Sequence, residues 1–168
     1  EILPDGEVGL VEVSGRISPG YTGASSALND SVFTRDGYYC TGDVGCLDAD
    51  GAFVFVGRDT EMIKRSGINV SPAEVEDVLR QLPSVGQCAV VGVPDTELGE
   101  LLVAYVVADA DDVVDLKEID AHCRRRLSKY KLPDFVELCD ALPLTATGKL
   151  QRKEVKAMAV ESMAKRRA

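Results

Sequence analysis

The rhythm of apolar and polar positions changes near residue 57. Before it, short apolar runs alternate with turn signals. Residues 8–13 are apolar-rich between Gly6 and Gly15 and read as a strand, which Ser18-Pro19-Gly20 interrupts. The Gly/Ser/Asn-rich stretch 23–31 reads as a loop. Asp50-Gly51, set between Cys46-Leu47 and Phe53-Val54-Phe55-Val56, is a hairpin signature. Alternation sends Phe53 and Phe55 to one face and Val54 and Val56 to the other, which predicts a strand covered on both sides. So few strands cannot provide that cover. Residues 1–57 therefore read as a β-rich remnant of a larger domain, and a chain opening on Glu1 looks like a piece of a longer one.

From residue 58 onward a second domain, 58–168, is expected. Met62-Ile63-Lys64 and Ile68-Asn69-Val70 flank Arg65-Ser66-Gly67, a hairpin bending at the glycine. Ser71 as cap, Pro72 at the first helical position and Glu74 closing a capping box then start a helix. Val75, Val78, Leu79 and Leu82 fall at i, i+3, i+4, i+7, and Pro83 ends it. The β-branched runs 85–93 and 101–107 read as strands. Asp109, Asp111, Asp112 and Asp115 form a solvated loop leading to a helix capped by Asp115, which buries Leu116, Ile119, Cys123 and Leu127. A strand over 135–138, a turn-rich loop over 143–148 and a basic terminal helix from Arg152 complete the chain. Strands and helices mix without strict βαβ alternation. The class is α+β: a short central sheet flanked by helices and led by a β-hairpin.

Composition narrows the function. Of 168 residues, 45% are hydrophobic and 28% charged, the balance of a folded globular chain. A net charge of −9 argues against nucleic acid as partner, since such affinity comes largely from Lys and Arg neutralising phosphates. No apolar run approaches the roughly 20 residues that cross a bilayer. Five cysteines form no CxxC pair and read as buried, reduced thiols of a cytoplasmic protein.

Several constellations fail as chemistry. Ala146-Thr147-Gly148-Lys149 hints at a phosphate loop, but Pro143 stands where that loop needs glycine and Leu150 where it needs Ser or Thr. The single histidine, His122, lies mid-helix and reads as a packing residue. One histidine and scattered cysteines make no zinc site, and no metal ligands are expected here. Arg124-Arg125-Arg126 reads as a wet helix face. What remains is a Thr41-Gly42-Asp43 turn, a Gly57-Arg58 pair and Lys149 on a flexible loop. Each alone has a bland reading as a turn, a surface ion pair or a solvated amine. As a set they are coherent: an aspartate accepts from ribose hydroxyls, an arginine holds a hydroxyl or phosphate, and a lysine delivers charge to a phosphate-centred transition state.

Four motifs in order carry a resemblance over nearly the whole chain. Gly6-Glu7-Val8-Gly9 through Gly20-Tyr21 is similar to a GEVGE…GY segment. Asp36-Gly37-Tyr38-Tyr39-Cys40-Thr41-Gly42-Asp43 resembles DGW(Y/F)xTGD, with Tyr38 for the usual tryptophan and Cys40 where a basic residue is common. Residues 57–64 with 66–76 resemble a hinge motif, and Pro143-Leu144-Thr145-Ala146-Thr147-Gly148-Lys149 with Arg152 resembles PLTxxGKxxR. The sequence thus resembles the C-terminal third of the adenylate-forming acyl-CoA ligases, which include acyl- and aryl-CoA synthetases, luciferases and peptide-synthetase adenylation domains.

That resemblance implies a two-step reaction: a carboxylate and ATP give acyl-AMP and pyrophosphate, then a thiol, usually coenzyme A, displaces AMP. It assigns Lys149 to the first step as catalytic residue, Asp43, Arg58 and Lys64 to the nucleotide, and Ser66 and Gly67 to the thiol channel. Thr60 would be the pivot of a rotating C-terminal domain; many relatives carry Asp or Lys there, so the resemblance supports the position and not a charge-based hinge. Mg²⁺ ligands and the acid pocket are expected in the N-terminal domain, which would be this chain's partner, so the chain alone is expected to be inactive. The wording of residues 69–74 leans towards a fatty acid as the small-molecule substrate. The alternatives are an adenylation domain loading a carrier protein's pantetheine and a non-catalytic interaction module retaining the fold; an intact Lys149 motif favours the enzyme, and the absence of a carrier-type segment after it favours free coenzyme A.

Overall fold

The structure, a computed structural model, describes residues 2–23, 25–109 and 112–167; Asp111 of the acidic run lies outside them. The chain divides into two compact units, Glu1–Thr60 and Glu61–Ala168. Among the described residues no helix is long and apolar enough to cross a membrane.

In the first unit, β1 (Gly9–Val13), β2 (Tyr39–Leu47) and β3 (Phe53–Arg58) form an antiparallel sheet in the order β1-β2-β3. The Asp50-Gly51 hairpin forms as the sequence predicts: Asp48 Oδ1 accepts from the N–H groups of Asp50 at 3.0 Å and Ala52 at 2.8 Å. The cover predicted for β3 is not found among the described residues. Phe53, Val54 and Phe55 are exposed, on both faces of the strand. The sequence pattern demands burial, and the unit holds too little chain to provide it. Gly57 and Arg58 pair with Val44 and Asp43 at the end of β3. The stretch read as a loop contains a helix, α1 (Ser26–Val32), with Ser25 Oγ accepting from the Leu28 N–H at 3.3 Å. It buries no residue and so leaves no apolar stripe to read.

The second unit is a mixed five-stranded sheet between two helical layers. Its strands are β4 (Ile63–Arg65), β5 (Ile68–Val70), β6 (Val85–Asp95), β7 (Gly99–Ala108) and β8 (Phe135–Leu138), in the order β5-β4-β7-β6 with β8 parallel to β7. A 3₁₀ turn, Asp59–Glu61, leads into β4. Because β6 and β7 are apolar at nearly every position, both sheet faces take a core. One face sends Cys88, Val90, Leu102, Ala104 and Val106 against α2 (Pro72–Leu79) and α3 (Leu116–Arg126). The other sends Ala89, Val91, Val93, Val103 and Tyr105 against Val155, Ala159 and Met163 of α4 (Arg152–Arg167). Those three recur every fourth residue, as one helix face requires.

The helix signals resolve as local hydrogen bonds. Ser71 Oγ accepts from the Glu74 N–H at 3.4 Å with Pro72 in the first turn, and Asp115 Oδ1 accepts from the Lys117 N–H at 2.8 Å. Of the stripe predicted on α3, Ile119, Cys123 and Leu127 are buried, but Leu116 is 46% exposed, since it lies at the start of the helix ahead of that stripe. His122 is a packing residue: buried, with Nε2 2.9 Å from the Val78 carbonyl and Nδ1 3.2 Å from Arg126. Arg124, Arg125 and Arg126 are exposed. All five cysteines are free thiols, but only Cys88 and Cys123 are buried; Cys40, Cys46 and Cys139 are half-buried. Burial pushes the Cys88 thiol up to about 11, which keeps it protonated and inert.

Candidate active site

The Thr41-Gly42-Asp43 turn proves to be a bulge inside β2. Cys40 pairs with Glu12 and Val44 with Leu10, so three residues of β2 stand opposite Val11 alone. Gly42, at φ 75°, supplies the left-handed backbone that lets extra residues leave the ladder without ending the strand. Thr41 Oγ1 donates to the Val11 carbonyl at 2.9 Å and accepts from the Asp43 N–H at 3.0 Å, which fixes the bulge on both sides.

The bulge brings two of the sequence-predicted residues together. Arg58 Nη1 donates to the Thr41 carbonyl at 2.9 Å, and Arg58 Nε lies 2.8 Å from Asp43 Oδ1. That ion pair is close but not aligned as a hydrogen bond: Asp43 Oδ1 is buried without a donor directed at it among the described residues. A buried acceptor left this way is rare. Arg58 is half-exposed beside it. A cavity of about 850 Å³ in the same unit, lined by Leu3, Leu10, Tyr38 and Phe53 among others, contains neither residue.

Lys64, Ser66 and Gly67 share the β4–β5 hairpin of the second unit. Its two-residue bend has Ser66 at φ 49° and Gly67 at φ 79°, the pair of left-handed residues that matches strand twist. Among the described residues, no heavy atom beyond its chain neighbours lies within 4 Å of where a Gly67 side chain would begin. The hairpin is fastened from both sides. The Ser66 N–H donates to the Leu98 carbonyl at 2.8 Å, and the Lys64 N–H donates to Glu100 Oε2 at 2.8 Å. Arg65 places its fork on Asp134, Nη1 to Oδ2 at 2.6 Å and Nη2 to Oδ1 at 2.7 Å, and Asp134 Oδ2 also accepts from the Leu102 N–H.

Lys149 sits at a hydrogen-bonded turn at the end of the turn-rich loop read from sequence. Leu144 bridges Leu150, the Thr145 N–H donates to the Lys149 carbonyl at 2.8 Å, and the Lys149 N–H donates to Thr145 Oγ1 at 3.0 Å. Gly148 turns the chain at φ 78°. The Lys149 ammonium is exposed and has no partner among the described residues. Thr60 is the last residue of the first unit.

A constellation the sequence reading left without a role surrounds Arg152, three residues past Lys149. Arg152 Nη1 and Nη2 bind Glu76 Oε1 and Oε2 at 2.6 and 2.9 Å, and Nε lies 2.8 Å from Glu61 Oε2. Glu76, 2% exposed, also accepts from the Val90 N–H at 2.9 Å and from Arg80 at 3.1 Å. Burial works against the Arg152 charge, but Glu76 and then Glu61 outweigh it and hold its pKa above the ordinary arginine value. Separation in sequence hid this network, and a glutamate on an amphipathic helix reads as solvated; the final arginine of PLTxxGKxxR was the available signal. No group of three or more His, Cys, Asp or Glu among the described residues could hold a metal ion.

Residues 74–149 match the AMP-binding enzyme C-terminal domain. The chain is 43% identical over 157 residues to a feruloyl-CoA synthase from Amycolatopsis sp, covering 93% of this chain and 32% of that protein. It is 40% identical over 150 residues to a sulfoacetate–CoA ligase from Cupriavidus necator, covering 89% and 29%. The o-succinylbenzoate coenzyme A synthetase of Bacillus subtilis, solved with ATP and magnesium ion, superposes with a TM-score of 0.83 at 33% identity, over 93% of this chain and 32% of that one. The chain thus spans about a third of the length of the relatives it matches. It carries an AMP-binding enzyme C-terminal domain over residues 74–149 and is similar over about nine-tenths of its length to part of these CoA ligases.

Proposed function

We propose that this chain is the C-terminal part of an ATP-dependent acid–thiol ligase that makes an acyl-adenylate and passes the acyl group to coenzyme A. The observation that carries the reading is the Lys149 ammonium, exposed at a hydrogen-bonded turn and without a partner among the described residues. In the first step a carboxylate oxygen bonds to the α-phosphorus of ATP and the bond to pyrophosphate breaks. Both reactants are anions, and Lys149 offsets their repulsion as the bond forms. The under-satisfied Oδ1 of Asp43 fits a ribose hydroxyl, which donates where Arg58 Nε does not, while Arg58 steadies the same nucleotide. In the second step the thiol sulfur bonds to the acyl carbon and AMP leaves. Lys64 then lies near the adenylate, and Ser66 and Gly67 border the thiol's path. The open space at Gly67 supports that role.

Residues 58–168 are the mobile domain of this reading, with its pivot at Thr60, and 1–57 belong with an N-terminal domain that supplies the acid pocket and the ligands for Mg²⁺. The chain by itself then catalyses neither half-reaction. A cytoplasmic location is part of this reading, and five free thiols support it. A fatty acid is proposed on the wording of residues 69–74, whereas relatives are named for feruloyl and sulfoacetate substrates. The deciding experiment is a thioester-formation screen of the full-length enzyme against fatty acids of graded length and aromatic acids. Acid-dependent release of AMP with thioester formation is expected; none with any acid defeats the reading.

The thiol role has its own test. Gly67→Leu in the full-length enzyme is expected to lower thioester formation from supplied acyl-adenylate roughly tenfold, because a side chain would fill the space pantetheine needs. Pyrophosphate exchange is expected to stay within about twofold, since the first step does not use that space. An equal fall in both would remove Gly67 from the channel.

A further inference from the structure

We propose that Arg152 is a positioning residue, coupling the Lys149 turn to the segment that begins the second unit. The proposal rests on the ligase reading for its functional meaning, but its physical content is independent of it. Arg152 opens α4, and the preceding residue is built into the Lys149 turn: the Gln151 N–H donates to the Pro143 carbonyl at 2.9 Å and Gln151 Nε2 donates to the Leu144 carbonyl at 2.9 Å. A displacement of the first turn of α4 is therefore a displacement of Lys149. At its other end the guanidinium meets Glu61, the residue immediately after Thr60.

The Glu76 arm alone would satisfy a packing role. It is nearly inaccessible, bidentate, and reinforced by Nη1 donating to the Val90 carbonyl at 3.2 Å. A two-point fork in one plane, however, still lets a helix end roll about that plane. The Nε contact to Glu61 removes this freedom by engaging the third side of the guanidinium. Glu61 is 39% exposed at its side chain, so the contact adds little to stability. What it adds is connection: the residue beside the pivot, the buried anchor on α2 and the lysine turn become one piece. A rotation about Thr60 then reaches the ammonium without slack, and positional error at a reacting centre is costly in rate.

The test uses Glu61→Ala in the full-length enzyme, because loss of a half-exposed carboxylate spares the fold. The kcat of acid-dependent pyrophosphate exchange is expected to fall roughly tenfold, with the KM for ATP, thioester formation from supplied acyl-adenylate and the urea midpoint little changed. Arg152→Lys keeps the charge and loses the fork. Adding Glu61→Ala to Arg152→Lys is expected to produce no further loss of kcat, the non-additivity of a shared contact. In the present chain, Glu61→Ala is expected to speed amide hydrogen exchange at Lys149 and Gln151 by about fivefold without global destabilisation. Unchanged kcat, an equal fall in both half-reactions, or additive losses would overturn the coupling. A wild-type enzyme inactive with every acid would defeat the ligase reading; the exchange measurement still decides the coupling, and unchanged protection there overturns it.

Discussion

Lys149→Ala in the full-length enzyme is expected to lower acyl-adenylate formation by two or more orders of magnitude, about 3 kcal/mol of lost transition-state stabilisation. The turn itself does not need the side chain. Its closure runs through the Thr145 and Gly148 backbone and the Thr145 hydroxyl, and the Lys149 N–H and carbonyl that it uses are retained in alanine. The exposed ammonium contributes no contact among the described residues, so the unfolding midpoint should not move. Thioester formation from supplied acyl-adenylate should be largely spared, because the repulsion between anions has already been overcome. Pyrophosphate exchange and thioester formation, measured separately on one preparation, check this. Equal loss in both would mean that Lys149 holds the domain together or binds the adenylate generally, and its assignment to the first step would fail.

The second large effect is on stability. Glu76→Ala is expected to destabilise the second unit by about 3–5 kcal/mol, the range for stripping one partner from a buried ion pair. Glu76 is 2% exposed and satisfies Arg152, Arg80 and the Val90 N–H together. Alanine leaves the guanidinium of Arg152 and a strand amide facing an empty space. Against a total of about 5–15 kcal/mol for a domain, that is a large share. Arg80→Ala is the control: its side chain is 47% exposed, and less than about 1 kcal/mol should be lost. Removing both buried charges, Glu76→Met with Arg152→Met, should recover much of the stability, since no charge is then stranded. Urea unfolding of the three variants measures this, and a loss below about 1 kcal/mol for Glu76→Ala would show that the pair is not a stability element.

Much of the second unit was legible because its signals are local. Ser71-Pro72 announces α2, the Ser66-Gly67 bend announces the hairpin, and the strand 135–138 and the helix from Arg152 lie where the pattern put them. What was missed depends on contacts or on special backbone. α1 buries nothing, so its periodicity carries no information. The Thr41-Gly42-Asp43 bulge reads locally as a turn, because a left-handed glycine suits either, and only pairing with β1 and β3 distinguishes them. Leu116 matches an apolar stripe that its own end of the helix does not bury. The candidate residues were named by motif, but the geometry that gives Asp43 a buried oxygen without an aligned donor is invisible to spacing. The Arg152 network joins residues far apart in the chain, and sequence alone gave no reason to bury Glu76.

The layering of the second unit governs when it can become folded during synthesis. β6 and β7 are consecutive in the chain and pair as a hairpin, but one face of that hairpin takes its cover from Val155, Ala159 and Met163 of α4, which follows them in chain order. Parallel pairing of β8 and the Arg65–Asp134 fork also wait for sequence made well after the hairpin. A nascent chain on the ribosome therefore carries a half-clad sheet until α4 emerges, with a window open to chaperones and to mispairing that closes all at once.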